Sequence, residues 1–325
     1  MRSKITDQQL IKEWEITPSI TKIAKKFDMS QRNLNYRVTR LRSQGVNLNS
    51  PDPRSKFWGE NGPTWGNFDG LDDHPGMIDL KVNDGVVMIG SDSHYWPGII
   101  STAHRGFVHL AKKLQPVIVI KNGDEMDFPK LSRFAPIGWE NRPNVVNEIE
   151  AAQARLTEIE RAAPNAVRCW PVGNHDARFE TKLAAIAPEY ANVHGVHLKD
   201  HFPFWRPCWA VQLNDDTIVK HRYKGGVHAT YNNTLHSGKT IITGHLHALK
   251  VTPHSDYKGT RFGVDCGSLA DPYGPQFYNY TELNPLSWRS GFVVLTFKDG
   301  VLLWPEIAFV RSEGVLDFRG ELISV

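Results

Sequence analysis

The sequence predicts a layered α/β domain with mixed sheets, preceded by a small domain of three helices. Three observations predict it. Residues 5–44 carry apolar side chains at helical spacing. From residue 82 the pattern changes to short β-branched runs, which first alternate with helices and then follow one another directly. The chain has 325 residues, enough for one large core and a small additional one.

Asp7 to Trp14 reads as the first helix. Ser19 to Phe27 reads as the second, with Ile20, Ile23, Ala24 and Phe27 on one face. Asp28-Met29 is a tight break and Ser30 an N-cap. The third helix runs to about Ser43 with Leu34, Val38 and Leu41 apolar, and Gly45 stops it. Residues 1–45 thus form one domain. Residues 46–80, rich in Gly, Pro, Asn and Asp, read as a linker draped over the next domain by Trp58, Trp65 and Phe68. Within the second domain, 81–325, Val86 to Ser91 is the first clear strand. A helix near 102–114 and a strand over Val117 to Ile120 follow. Asn144 to Ala163 reads as a helix and Ala166 to Val172 as a strand. Further strands are expected at Ala210–Leu213, Thr217–Lys220, Thr240–Thr243, Phe262–Cys266 and Phe292–Phe297.

Composition narrows the function classes. No apolar stretch approaches the roughly 20 residues of a membrane span, and the N-terminus lacks the apolar run of a signal peptide. Cys169, Cys208 and Cys266 are scattered and odd in number, which supports neither a disulfide framework nor a zinc ribbon, so a reducing cytoplasm is the expected location. Residues 1–56 carry 12 Lys and Arg against 5 Asp and Glu; residues 57–325 carry 26 against 30. A basic head on a mildly acidic body points to a polyanionic partner for the head.

Five polar clusters then stand out: Asp92-Ser93-His94, Gly123-Asp124-Glu125-Met126-Asp127, Gly173-Asn174-His175-Asp176, the single His221, and Gly244-His245-Leu246-His247. Each falls at or just past the end of an apolar run. Polar groups at the C-terminal ends of neighbouring strands converge on one sheet edge. Carboxylates, imidazoles and an amide are the ligands that hold a pair of divalent first-row metals. One such Asp or His is more often a satisfied hydrogen-bonding residue than a ligand; five clusters in order are a different matter.

These motifs resemble the calcineurin-like metallophosphoesterase superfamily, whose signature runs Asp-x-His, Gly-Asp-x-x-Asp, Gly-Asn-His-Asp/Glu, a lone His, then Gly-His-x-His. The resemblance covers roughly residues 84–270 and implies an α/β/β/α sandwich. It further implies that Asp92, His94 and His247 hold one metal, that Asn174, His221 and His245 hold a second, and that Asp124 bridges them. Asp127 would orient a ligand histidine, His175 would be the general acid, and Asp176 would orient His175. Ser91 stands where many members have Gly, and Arg222 follows His221 where many have Gly, so His228 is a rival for the lone histidine. Two metals can clamp a phosphate oxygen and supply hydroxide for in-line attack near neutral pH, and His175 can protonate the leaving oxygen. Mixed His/Asp/Asn ligation suits Mn²⁺, the first expectation, with Fe, Zn²⁺ or Mg²⁺ as alternatives.

Arg178 can touch a substrate phosphate or form a surface ion pair. Lys224-Gly225-Gly226 matches no P-loop and reads as a turn. Arg133, Tyr231 and His254 read as solvated surface. Residues 128–143, with Trp, Pro and Arg, read as an insertion beside the site. In the head, Ile20 to Arg42 resembles a helix-turn-helix unit. Gln31, Arg32, Asn33, Asn35, Arg37 and Arg40 are its candidate base readers, and Lys22, Lys25 and Lys26 its phosphate contacts; a protein-binding three-helix module is the competing reading. The function expected is a metal-dependent phosphodiesterase acting on DNA, a nuclease or nickase. A phosphomonoesterase or small-nucleotide phosphodiesterase, and a DNA-binding regulator with a non-catalytic metal site, are the alternatives.

Overall fold

A computed structural model describes residues 5–17, 19–44, 46, 48, 76–282, 284 and 286–325. The chain divides into two compact units, Met1–Thr64 and Trp65–Val325. Gly45, Trp58, Trp65 and Phe68 lie outside the described residues.

The first unit holds α1 (Asp7–Ile16), α2 (Ile20–Lys26) and α3 (Gln31–Ser43). Thr6 caps α1 through a reciprocal box with Gln9, at 3.1 and 2.8 Å. Ser30 accepts from the Asn33 amide at the start of α3. Leu10, Trp14, Ile23, Ala24, Leu34, Val38 and Leu41 form the core. Arg37 lies one turn from Leu34 on the inward side of α3. Its guanidinium donates to Asp7 Oδ1 and to the Ile5 carbonyl, each at 3.0 Å. Arg40 pairs with the other Asp7 oxygen at 2.5 Å. These two arginines, expected as base readers, hold α1 against α3; the helical repeat that buries Leu34 and Val38 also carries Arg37 inward, while Arg40 stays partly exposed.

The second unit is a two-sheet sandwich. One sheet contains β2 (Gly85–Gly90), β3 (Ile118–Lys121), β4 (Val167–Pro171) and β5 (Arg206–Cys208), parallel in that order. It continues on the other side of β2 through antiparallel β11 (Gly291–Lys298), β13 (Glu306–Ser312), β14 (Val315–Phe318) and β15 (Glu321–Ser324), with β12 (Val301–Leu302) paired to β11. Helices α4 (Thr102–Leu114) and α5 (Val145–Ala162) cover one face, packing Phe107, Leu110, Leu156 and Ile159 around Met88, Val119 and Trp170. The other sheet runs β1 (Met77–Leu80), β6 (Ala210–Leu213), β7 (Thr217–Val219), β8 (Thr240–Thr243), β10 (Gly259–Asp265) and β9 (Lys250–Asp256). Helix α8 (Ala229–Ser237) packs against β8, β9 and β10. Every residue of β3 and β8 is buried. Helices cover one face of each sheet, so the remaining faces meet and give the α/β/β/α layering.

The sequence reading lacked β5, β9, β12 to β15 and several helices, and three elements bear most on the fold. β1 falls within the segment read as linker and pairs with β6, Met77 opposite Ala210. Helix α6 (Ala177–Ile186) follows the third cluster directly, and α8, with its Thr-Tyr-Asn-Asn run, has a sequence of weak helix formers that tertiary packing overrides. The short helices α7 (Leu198–His201) and α9 (Tyr278–Thr281) lie in loops. No helix among the described residues is long and apolar enough to cross a membrane.

Glu148, buried in the first turn of α5, anchors the loop after β3 by accepting the Phe128 amide at 2.8 Å. Burial pushes its carboxyl up to about 8 from an ordinary 4.5. A carboxyl raised in the folded state adds stability that is complete below 4.5 and is lost as pH rises through about 8. Glu148→Gln is therefore expected to match the parent protein's stability at acid pH and to exceed it in alkaline buffer, by on the order of 1–3 kcal/mol. Paired thermal melts across that window check it; a constant Tm difference would refute it.

Candidate metal centre

The five clusters sit on five turns that leave the C-terminal ends of β2, β3, β4, β7 and β8. Hydrogen bonds extend the parallel ladder past the strands: Asp92 N donates to Gly123 O at 2.8 Å, His94 N to Asp124 O at 3.0 Å and Tyr95 N to Glu125 O at 2.8 Å. Asp92, His94, Asp124, His245 and His247 all adopt positive φ, between +39° and +72°. Left-handed backbone at non-glycine residues costs on the order of 1–3 kcal/mol each and survives where surrounding structure imposes it. Such turns aim the side chains of successive clusters at a common point. The glycines serve close approach: a Cβ on Gly173 would overlap Asp124 Oδ1, and one on Gly244 would overlap Ser91 Oγ.

Three groups of side chains bring their ligand atoms within 4.8 Å of one another. Asp92, His94 and His247 form one; Asp124, His221 and His245 form another; His94, Asp127 and His175 form the third. The first has the members of one expected ligand set; the second joins His221 and His245 of the other set to Asp124, the expected bridge. His228 is exposed at the start of α8 and joins none, so the structure favours His221 as the lone histidine. His221 donates Nδ1–H to the Asn122 carbonyl at 2.7 Å and turns Nε2 toward Asp124 Oδ2 at 3.2 Å. That is the tautomer in which Nε2 keeps a lone pair for a metal. Among the described residues, His94 Nε2, His221 Nε2 and Asn174 Oδ1 are buried without a hydrogen-bond partner. Buried polar atoms left unmatched are costly, and their convergence with two carboxylates fits divalent cations.

The electrostatics agree. Burial opposes ionisation of Asp92, yet His247 and His221 bring its carboxyl down to about 2. Burial likewise opposes ionisation of Asp124, and His221 and His175 hold it well below the usual range. Burial disfavours a charged His221, but Asp124 and Asp92 raise it to about 10. Carboxylates and imidazoles are thus each held by the other, as in a site where cations take the protons' place.

His175 stands at the rim with 22 % of its side chain exposed. Its Nδ1 lies 2.7 Å from Asp127 Oδ1, and its Nε2 lies 4.0 Å from Asp124 Oδ2. Asp127 also lies 3.3 Å from His94 Nδ1. Asp176 does not orient His175 as expected. Its fully buried carboxylate accepts the amides of Asp124 and Gly173, at 2.8 and 2.9 Å, and the Trp170 indole at 3.0 Å. It also accepts from the Glu125 amide, so the second and third loops are locked together through it. A carboxylate with that many buried donors has no lone pair to spare for a ring on the far side. Arg178, on α6, donates to the Asp127 carbonyl at 2.7 Å and approaches His175 Nε2 at 3.2 Å. That contact requires a lone pair on Nε2. Burial works against protonation of His175, whereas Asp124 and Asp127 favour it and raise the ring overall. A protonated Nε2 cannot accept from the guanidinium, so the Arg178 contact belongs to the neutral ring.

Sequence reasoning missed Lys121 and Glu125, a fully buried pair at 3.1 Å behind the first loop. Lys121 donates to Ser93 Oγ at 2.6 Å and so braces the residue between Asp92 and His94. A lysine closing the apolar run Ile118-Val119-Ile120 was the available signal. In the first unit, Gln31, Asn33 and Asn35 are exposed on α3, whereas the Arg32 side chain lies outside the described residues. Lys22 and Lys25 are exposed, and Lys26 pairs with Glu13 at 2.6 Å.

Fold and site together define a two-sheet α/β sandwich with a candidate histidine–carboxylate metal centre at its strand ends. No family model matches the chain. It is similar to the Gene 54 proteins of Mycobacterium phages L5 and D29, with 28 % and 29 % identity over 219 residues, which span 59 % of this chain and 81 % of each phage protein. Solved structures with some likeness include Vps29 from Entamoeba histolytica complexed with Zn²⁺, at 13 % identity and TM-score 0.37, covering 74 % of this chain and 98 % of that one. Vps29 of Chaetomium thermophilum gives 8 % and 0.38, covering 74 % and 93 %. A Saccharomyces cerevisiae serine/threonine phosphatase with similarity to human phosphatase PP5 gives 14 % and 0.36, covering 74 % and 85 %. All three are distant likenesses.

Proposed function

We propose that the protein is a divalent-metal-dependent phosphodiesterase of the calcineurin-like kind, acting on DNA. The observation that carries this reading is the meeting of the Asp92/His94/His247 and Asp124/His221/His245 groups beside His175. Asp92, His94 and His247 would hold one metal, and Asn174, His221 and His245 the other, with Asp124 between them. Mn²⁺ suits the mixed donor set. Bound divalent cations supply Lewis acidity at a phosphoryl oxygen and a nucleophile at neutral pH. His175 holds a proton at Nε2 for the leaving oxygen, Asp127 fixes its ring, and Arg178 balances charge on the phosphate. His245 is exposed and His175 opens to solvent, which suits a polymeric substrate better than an enclosed small one. The first unit, with Gln31, Asn33 and Asn35 outward on α3, serves as a DNA-binding head, and Lys22 and Lys25 reach phosphates.

The test is hydrolysis with Mn²⁺ of single- and double-stranded DNA, bis-p-nitrophenyl phosphate and p-nitrophenyl phosphate, with Asp124→Ala as control. DNA cleavage lost in the control supports a nuclease. Activity on the monoester alone would replace this reading with a phosphomonoesterase, and none at all would leave a DNA-binding regulator. Removing residues 1–45 is expected to spare turnover of the small diester and weaken DNA cleavage by about tenfold or more at moderate salt. Equal loss on both would sink the idea of a delivery head.

A further inference from the structure

The segment joining β10 to β11 carries aromatic rings outward from the metal centre. Phe277 is buried, with its ring centre 5.0 Å from His94 and 5.6 Å from His247. Trp288 lies 4.3 Å from His247 and 5.1 Å from Phe277. Tyr280 follows at 6.1 Å from Trp288, its plane within 18° of the indole, and is 79 % exposed. Phe277 is explained by packing. Tyr280 is not: its ring is aligned with a neighbour yet left in water, where it contributes little to the core.

The ladder is also held firmly to the site. Arg289 N donates to the His247 carbonyl at 2.7 Å, and Ser268 N donates to the Arg289 carbonyl at 3.1 Å. Trp288 is therefore tied to a candidate metal ligand through the backbone as well as through its ring. The exposed Arg289 follows it directly, and its guanidinium donates to the Trp288 carbonyl at 2.8 Å, which holds the cation close to the Trp288 backbone. Aromatic faces with an adjacent cation, running from a phosphate-handling centre toward solvent, form the arrangement that receives a base and its neighbouring phosphate.

We infer that Trp288 and Tyr280 form a stacking platform for a nucleobase next to the scissile phosphodiester, with Arg289 meeting an adjacent phosphate. The assignment rests on the phosphodiesterase reading and adds to it a subsite that selects nucleotide over simple alkyl diesters.

The test uses the full chain and a phosphorothioate dinucleotide bearing 2-aminopurine, whose fluorescence is quenched on stacking. Binding to the parent protein is expected to quench it, Tyr280→Ala to weaken binding about tenfold, and Tyr280→Phe to restore it to within about twofold. An abasic analogue used as competitor should not distinguish the parent protein from Tyr280→Ala. Tyr280 is exposed, so a folding defect in the alanine variant is not expected, and Tyr280→Phe guards against one. Equal affinity of the parent and Tyr280→Ala for the 2-aminopurine dinucleotide overturns the platform, as does equal weakening for the abasic competitor. Hydrolysis of methyl p-nitrophenyl phosphate with Mn²⁺ is measured alongside. If it is absent while the binding contrast is present, the platform stands and the phosphodiesterase reading falls; if it is present without the contrast, the platform alone falls.

Discussion

Replacing His175 with alanine is expected to slow hydrolysis of diesters with alkyl leaving groups by about 10²–10⁴-fold. The same change should cost far less with p-nitrophenolate, which departs without needing a proton. The contrast follows from the geometry. His175 sits at the rim in the turn before α6, and its Nδ1 is occupied by Asp127, which leaves Nε2 as the nitrogen for the leaving oxygen. The six His and Asp residues of the two expected ligand sets are grouped without it, so metal content should be preserved. Measurement of kcat on a paired series of leaving groups, with metal analysis of each preparation, checks both halves. A uniform loss across the series would show that His175 holds a metal or the substrate rather than a proton.

Asp124→Ala is expected to do more. Asp124 accepts the His175 amide through Oδ1 at 2.8 Å and faces His221 through Oδ2 at 3.2 Å. Losing it should lower metal affinity by at least about 10²-fold, the upper end of what is typical for outer-shell partners alone. It should also destabilise the metal-stripped protein by roughly 3–5 kcal/mol, because the protonated His221 it faces would be left buried and unmatched. His221 is raised to about 10 by Asp124 and Asp92, so the stability it adds is present below 6.5 and lost as pH rises through about 10. The variant's deficit should therefore shrink in alkaline buffer. Gly173→Ala offers an independent route, since its Cβ would occupy the place of Asp124 Oδ1. Metal analysis and thermal melts after chelation check these outcomes; unchanged metal content in Asp124→Ala would remove Asp124 from the centre.

The site was legible because its residues are few, chemically distinctive and tied to strand ends. A run such as Val117-Ile118-Val119-Ile120 with Gly123-Asp124 just beyond it marks both the strand and the turn that leaves it, and the structure places β3 at Ile118–Lys121. Helix 102–114 was equally plain, since its apolar face repeats cleanly and Ser101 caps it, accepting the His104 amide at 3.1 Å. Less legible were elements whose residues suit several conformations. β1 is four residues long, and its pairing partner lies at Ala210–Leu213, far along the chain. Helix α8 depends on packing against β8, β9 and β10 rather than on its own propensity.

The amino-acid sequence by itself determined the order of strands that carry the clusters, the identity of the ligand candidates and the helical nature of the first unit. These follow from local periodicity and side-chain chemistry, which neighbours in sequence already share. Only the tertiary structure decided which carboxylate serves which ring, that Asp127 rather than Asp176 holds His175, that Arg37 and Arg40 bind Asp7, and that Trp288 leans on His247. Those outcomes depend on distances between residues far apart in the chain. A hydrogen bond or ring contact is made or lost over about 1 Å, a tolerance that spacing along a sequence does not encode.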